Sequence, residues 1–156
     1  FNTVMLRTPG LLGLPELTLE KFLRLDDLGI TYHRRPFNLA PGWILLHGDE
    51  GTVNHTGGLT ALGLAKKAGM SVVCGHTHRL GVSHFSQNYL GGRSNTVWGM
   101  EVGNLMNYKH ALYVKGGLFS WQQGFGILYV DGNVVTPVVV PIHKDGSFVV
   151  HGKRWG

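Results

Sequence analysis

Histidines at two points of the chain carry its clearest chemical signal. His76 and His78 lie on either side of one residue, one glycine after the apolar run 70–74, and His47 directly follows a second apolar run, 43–46. Neutral imidazole binds divalent Zn, Fe, Mn and Ni, and a turn anchored on the end of a strand would fix its direction. The spacing therefore predicts His47, His76 and His78 as metal ligands. The alternative is that they are ordinary turn histidines bonded to the backbone.

The elements needed to bring these histidines together can be predicted from the same stretch. Runs 43–46 and 70–74 are typical of buried strands, and Thr56 is predicted to cap a helix that ends at Gly69. A strand, a helix and a strand in this order indicate a parallel β-α-β unit. Because sites in open α/β sheets lie at the carboxyl ends of the strands, the three imidazoles are expected at one sheet edge.

The remaining elements are predicted from periodicity and turn residues. Apolar residues at helical spacing indicate a helix over 16–28, and a short strand is predicted over 30–33. Asp131-Gly132-Asn133 between two apolar runs indicates a hairpin. Further strands are predicted within 82–85, 96–100, 126–130, 134–140 and 148–150.

The motif order resembles the last two metal-binding blocks of the calcineurin-like metallophosphoesterases. His47-Gly48 matches the block with a single histidine, and Gly75-His76-Thr77-His78 matches the Gly-His-x-His block. Residues 11–17 and 25–29 are similar to the segment that follows the third block in phage and bacterial members. The resemblance extends to about Asp145.

The resemblance implies an α/β (α+β) fold, namely the C-terminal portion of a metallophosphoesterase αββα sandwich. In that interpretation one partial domain, 1–156, comprises a linker and helix (1–42), a β-α-β unit with metal-ligand turns (43–79) and a β-rich second sheet (80–156). No Asp-x-His and no Gly-Asn-His occurs in the sequence, so the N-terminal metal-binding motifs have no counterpart. We therefore expect a missing N-terminal segment or a second copy of the chain as partner.

The resemblance also implies a function, the hydrolysis of a phosphodiester or phosphomonoester by a two-metal centre. His47 and His76 would bind one divalent ion (Mn, Fe, Zn or Ni) and His78 the other, and no further residue is predicted to be catalytic. An alternative from a different class is a non-catalytic structural or binding module with a vestigial site, because three imidazoles without a bridging carboxylate would hold at most one ion.

Two further residues are weaker candidates for substrate contact. Arg79 could contact a substrate phosphate, since a guanidinium matches phosphate geometry, but anchoring the turn is an equally good interpretation. His55, before the predicted helix, could face the cleft or could serve as a surface or capping residue.

Composition limits the partners and the compartment. The net charge of +5 suits an anionic partner such as a phosphate ester, nucleotide or nucleic acid, although the basic residues are scattered. Cys74 is the only cysteine, so an intramolecular disulfide is impossible, and we expect it to be buried. No apolar run approaches the roughly 20 residues that span a bilayer. These features predict a cytoplasmic protein without membrane contact.

Overall fold

The chain is described by a computed structural model that covers residues 7–8, 10, 14, 17–88, 90, 92, 95–108 and 120–156. Its contacts divide it into two compact units, with the division after Arg35. Within the described ranges, no helix is both long and apolar enough to cross a membrane.

The first unit contains less regular structure than the sequence indicates. Helix α1 covers only Leu19–Phe22, with the Thr18 hydroxyl accepting the Lys21 N–H at 3.3 Å, and a 3₁₀ turn follows at Asp26–Leu28. The prediction of one helix over 16–28 is therefore wrong between the two pieces, where Arg24 has a φ of 54° and reverses the chain. Glu16, where that helix was predicted to begin, lies outside the described residues.

The predicted strand over 30–33 is also wrong. Within the described part of the chain these residues pair with no other strand. Ile30 and Tyr32 are 50% and 41% exposed, so their apolar side chains are not held in a core that would fix an extended conformation.

The second unit is built on a five-stranded mixed sheet. Its strands are β1 (Phe37–Ala40), β2 (Trp43–Leu46), β3 (Ser71–Cys74), β4 (Leu80–Gln87) and β5 (Asn95–Val102), in the spatial order β1-β2-β3-β5-β4. Strands β2, β3 and β5 are parallel, and β1 and β4 are antiparallel edge strands. The mixed α/β class is confirmed. The expectation that everything after residue 79 forms a second sheet is wrong for β4 and β5, which extend the first one.

The β-α-β unit is confirmed, with a later helix start than predicted. Helix α2 covers Leu59–Ala68 between the parallel strands β2 and β3, and Gly69 ends it with a left-handed φ of 67°. The N-cap is Gly58, not Thr56 as predicted. Gly58 has a φ of 86°, which turns the chain into the helix two residues later than the threonine would.

Two β-hairpins complete the unit. Strands β6 (Gly124–Asp131) and β7 (Val134–Pro141) are joined by a two-residue turn, as Asp131-Gly132-Asn133 predicts. Strands β8 (Phe148–Val150) and β9 (Lys153–Trp155) form the second hairpin, so the last predicted strand is confirmed.

The sheet is covered on both faces, which places a core on each. On one face, Ala61, Leu64 and Ala65 of α2 pack against Val72 and Cys74 of β3. On the other, Trp43, Val73 and Met100 pack against Leu128, Val135 and Val139 of the β6–β7 hairpin. The layers are therefore helix, sheet and hairpin, and they hold the carboxyl ends of β2 and β3 rigidly side by side.

Candidate metal centre

His47 and His76 leave adjacent parallel strands at the same edge of the sheet. Leu46 and Cys74, the last residues of β2 and β3, are register partners. The Gly75 N–H donates to the His47 carbonyl at 3.1 Å, so the two chains remain bonded one residue beyond the strands. The prediction that both segments end at one edge follows from the parallel pairing and is confirmed.

Gly48 makes this close approach of the two strand ends possible. Its φ is 114°, and a Cβ at this position would lie 3.0 Å from the Gly75 carbonyl oxygen and 3.2 Å from Cys74 Cβ. A side chain at this position would therefore push the two strand ends apart. Close packing of the strands is thus a sufficient reason for a glycine after His47.

The imidazoles of His47 and His76 touch. His76 Nδ1 lies 3.0 Å from His47 Nε2, the ring centroids are 4.7 Å apart, and both residues are exposed. Two imidazole nitrogens bound to one ion at about 2.1 Å would lie about 3.0 Å apart when the angle between them is near 90°. The separation is that of a hydrogen bond between the two imidazoles, whose donor depends on the tautomer, and at that angle it would also suit two ligands of one divalent ion.

His78 has a different environment from the other two. Its ring packs edge-on against Trp121, with centroids 4.4 Å apart, and its buried Nδ1 has no hydrogen-bond partner among the described residues. Burial, followed by the nearby His76 and Arg79, holds the pKa of His78 below its usual range. The imidazole is therefore kept in the neutral form that a metal ligand requires.

The turn that carries these histidines has unusual backbone. His76 and His78 both have a φ of 58°, in the left-handed region that residues with a Cβ usually avoid. Residues in such regions cluster at binding and active sites, where the surrounding structure compensates their cost.

Thr77, between the two histidines, is bonded to a residue that the sequence analysis missed. Its hydroxyl donates a very short hydrogen bond to Glu101 Oε1. Thr77 is 4% exposed and Glu101 is fully buried on β5, opposite Cys74 in the parallel register. A single acid within the apolar segment 97–102 was the available signal for Glu101, because acids are rarely buried without a specific partner.

Arg79 is used to hold the turn. It is 7% exposed, its Nε donates to Ser120 Oγ at 2.9 Å, and its Nη1 donates to the Thr77 carbonyl at 3.3 Å. These contacts favour the anchoring interpretation, and a substrate contact stays a prediction. His55 is exposed in the loop before α2, and its place in a cleft stays a prediction as well.

The carbonyl of His78 is fixed from outside the turn. Gln122 N–H donates to it at 3.0 Å and Asn104 Nδ2 at 3.3 Å, so the chain after β5 and the chain before β6 both support the second histidine. These two contacts could not be predicted from the sequence, because Asn104 and Gln122 are far from His78 along the chain.

The interior directly beneath the turn is closed and acidic. Cys74 is fully buried, and burial, followed by Glu101 and Glu50, raises the pKa of its thiol to about 12. Glu50 itself accepts the Gly48 N–H at 2.9 Å. Cys74 is therefore an inert thiol and not a nucleophile.

The described residues contain no group of three or more His, Cys, Asp or Glu side chains arranged to hold a metal ion. The structure brings together His47 and His76, and it places His78 against Trp121 instead of in one cluster with them. A complete metal site would need further ligands beyond this pair.

Two phage proteins are similar to this chain. The Gene 54 protein of Mycobacterium phage D29 is 44% identical over 142 residues, which cover 90% of this chain and 55% of the relative. The Gene 54 protein of Mycobacterium phage L5 is 43% identical over 138 residues, covering 87% of this chain and 53% of the relative. No family model matches the chain, and no solved structure matches it significantly. The chain spans about half the length of these curated relatives.

Proposed function

We propose that this chain contributes three imidazole ligands to a two-metal centre that hydrolyses phosphate esters. The observation that carries the proposal is the contact between His47 and His76, 3.0 Å apart at the carboxyl ends of two parallel strands. This is the edge at which open α/β sheets place their sites. The layering of helix, sheet and hairpin is consistent with part of a metallophosphoesterase sandwich.

Each histidine has a distinct role in this proposal. His47 and His76 would be ligands of one ion, and His78, kept neutral by its surroundings, would be a ligand of a second. When bound, two divalent ions polarise the phosphoryl oxygens and lower the pKa of a bound water. Imidazole nitrogen suits Mn, Fe, Zn or Ni, and the bridging carboxylate must come from outside the described residues.

A phosphodiester of nucleotide or nucleic-acid type is the favoured substrate. The chain carries a net charge of +5, which attracts anionic substrates. Because both histidines of the facing pair are exposed, a large ester could reach them directly.

The test is hydrolysis of bis(p-nitrophenyl) phosphate with added Mn²⁺. The chain is assayed alone and mixed with the part of the phage D29 relative that it does not match. We expect activity in the mixture, and a loss of at least about a hundredfold in His76→Ala, because a ligand is removed. His143→Ala removes an exposed histidine far along the chain and serves as the control. Equal activity of both variants would overturn the assignment of His76.

A second candidate is a non-catalytic module with a vestigial site. It is favoured by the lack, among the residues described, of any group of three metal-ligating side chains. This candidate predicts no hydrolysis in either sample.

A module that binds nucleic acid through charge alone would instead bind without metal, with affinity that falls steeply as salt rises.

A further inference from the structure

Glu101 is a buried carboxyl that the fold does not explain. It is fully buried in a sheet strand, and none of the described residues offers a hydrogen-bond partner to its Oε2. Burying a carboxyl with an unsatisfied oxygen is costly, and apolar replacements of buried ionisable groups often stabilise a protein. Fold stability alone therefore argues against a glutamate at this position.

The other carboxylate oxygen of Glu101 is bonded to Thr77, the residue at the centre of the histidine turn. Glu101 Oε1 accepts the Thr77 hydroxyl, and Thr77 Oγ1 in turn accepts the Arg79 N–H at 3.3 Å. The Thr77 hydroxyl group is thus bonded both to Glu101 on β5 and to the backbone of Arg79, the residue before β4. The residues on both sides of it, His76 and His78, have the left-handed backbone.

The Thr77–Glu101 bond is the side-chain contact at the centre of the turn, beside the bonds that Arg79 and Gln122 make to carbonyls of the turn. Two residues with a Cβ at positive φ each cost about 1–2 kcal/mol, so the surrounding contacts must select this backbone. The Thr77–Glu101 bond joins the turn to the most deeply buried part of β5. It therefore helps to fix where the two imidazoles on either side of Thr77 point.

We infer that Glu101 is a positioning residue that acts through Thr77 to aim His76 at His47 and to hold His78 against Trp121. This inference rests on the proposed function, because it assigns Glu101 to the support of the metal ligands. Groups that orient metal ligands are commonly worth 10- to 100-fold in metal affinity.

The first arm of the test measures Mn²⁺ affinity of the full chain by calorimetry. We expect Thr77→Val and Glu101→Leu to weaken binding about 10- to 100-fold. Thr77→Ser and Glu101→Gln keep a hydroxyl and an acceptor oxygen, so each should restore affinity to within about threefold. Ser71→Ala removes a buried hydroxyl at the opposite end of β3 and should leave affinity unchanged.

The second arm needs no metal and separates this inference from the proposed function. Imidazole Cε1–H signals of His76 and His78 should shift in Thr77→Val and return in Thr77→Ser, while those of His143 and His151 stay in place. If neither the wild-type chain nor its mixture with the unmatched part of the phage D29 relative binds Mn²⁺, the proposed function fails and these signals alone decide the inference. Unmoved His76 and His78 signals, or equal Mn²⁺ affinity in Thr77→Val and wild type, would overturn it. If Glu101→Leu does not fold, Thr77→Val carries the test.

Discussion

Residues with positive φ occur at both ends of the neighbouring strands β2 and β3, but the residue types differ between the two ends. At the amino end, positive φ falls on glycines: Gly42 at 72° and Gly69 at 67°. The buried Ser71 hydroxyl there accepts the Trp98 N–H at 3.1 Å. A cavity of about 280 Å³ opens at this end, and none of its lining residues is ionisable.

At the carboxyl end, positive φ falls on histidines as well as on a glycine. His76 and His78 share a φ of 58°. Of all buried side-chain nitrogen and oxygen atoms in the described ranges, the two without a hydrogen-bond partner, His78 Nδ1 and Glu101 Oε2, both belong to this end.

This contrast distinguishes features that stabilise the fold from features that are costly to it. Glycine turns and satisfied hydroxyls at the amino end are the least costly way to join these elements. The carboxyl end keeps strained residues and unsatisfied polar atoms that substitution could remove, and such features concentrate at functional sites. The contrast therefore supports the proposal that the site lies at the carboxyl end of the β-α-β unit.

The largest expected effect concerns the thiol of Cys74, which probes how closed the carboxyl end is. A rise of its pKa from 9.0 to about 12 lowers the thiolate fraction about a thousandfold at pH 8. An aromatic disulfide reagent should therefore label the native chain at least about a hundredfold more slowly than the chain in urea. Stopped-flow absorbance measures both rates.

A comparison variant moves the thiol to the other end. Cys74→Ala combined with Ser71→Cys places it among uncharged residues, away from Glu101 and Glu50, and we expect faster labelling there. Native Cys74 reacting as fast as the unfolded chain would show that the interior beneath the histidines is open.

The next largest effect compares two glycines. Gly48→Ala introduces a Cβ 3.0 Å from the Gly75 carbonyl oxygen at a φ of 114°, whereas Gly42→Ala meets nothing within 4 Å. We expect the free energy of unfolding to fall by about 3 kcal/mol in Gly48→Ala and about 1 kcal/mol in Gly42→Ala. Urea unfolding measures both, and equal losses would show that the two strand ends are not closely packed at the histidines.

The smallest effect tests the backbone strain itself. Because His76 has a positive φ, His76→Gly should be about 1 kcal/mol more stable than His76→Ala, although both lose the imidazole. His84, in strand β4, has ordinary extended backbone, so the order there should reverse, with His84→Ala the more stable of the pair. His76→Ala at least as stable as His76→Gly in thermal melts would mean that the turn is not strained.

Sequence reasoning succeeded where local pattern and burial agree. The runs that became β2 and β3, the Gly69 cap and the Asp131-Gly132-Asn133 hairpin carry enough information in a few consecutive residues. The parallel order of the strands then placed His47 and His76 at one edge. Each of these features depends on short-range preferences that tertiary contacts reinforce.

Sequence reasoning failed where contacts between residues far apart in the chain determine the structure. The parallel pairing of β5 with β3 joins residues that are far apart in the chain, and it placed β4 and β5 in the first sheet instead of a second one. Residues 30–33 have a suitable composition for a strand but lack a partner within the described residues. Glu101 contradicts the rule that acids are exposed, so pattern alone assigned it no role.

The central claim, that His47, His76 and His78 are metal ligands, is tested most directly by adding Mn²⁺ while recording the imidazole signals of the wild-type chain. Bound Mn²⁺ broadens the signals of nuclei close to it. The account predicts that signals of His47, His76 and His78 disappear first, at substoichiometric Mn²⁺, while those of His33, His84, His143 and His151 remain sharp. Uniform broadening of all seven signals, or none at millimolar Mn²⁺, would contradict it.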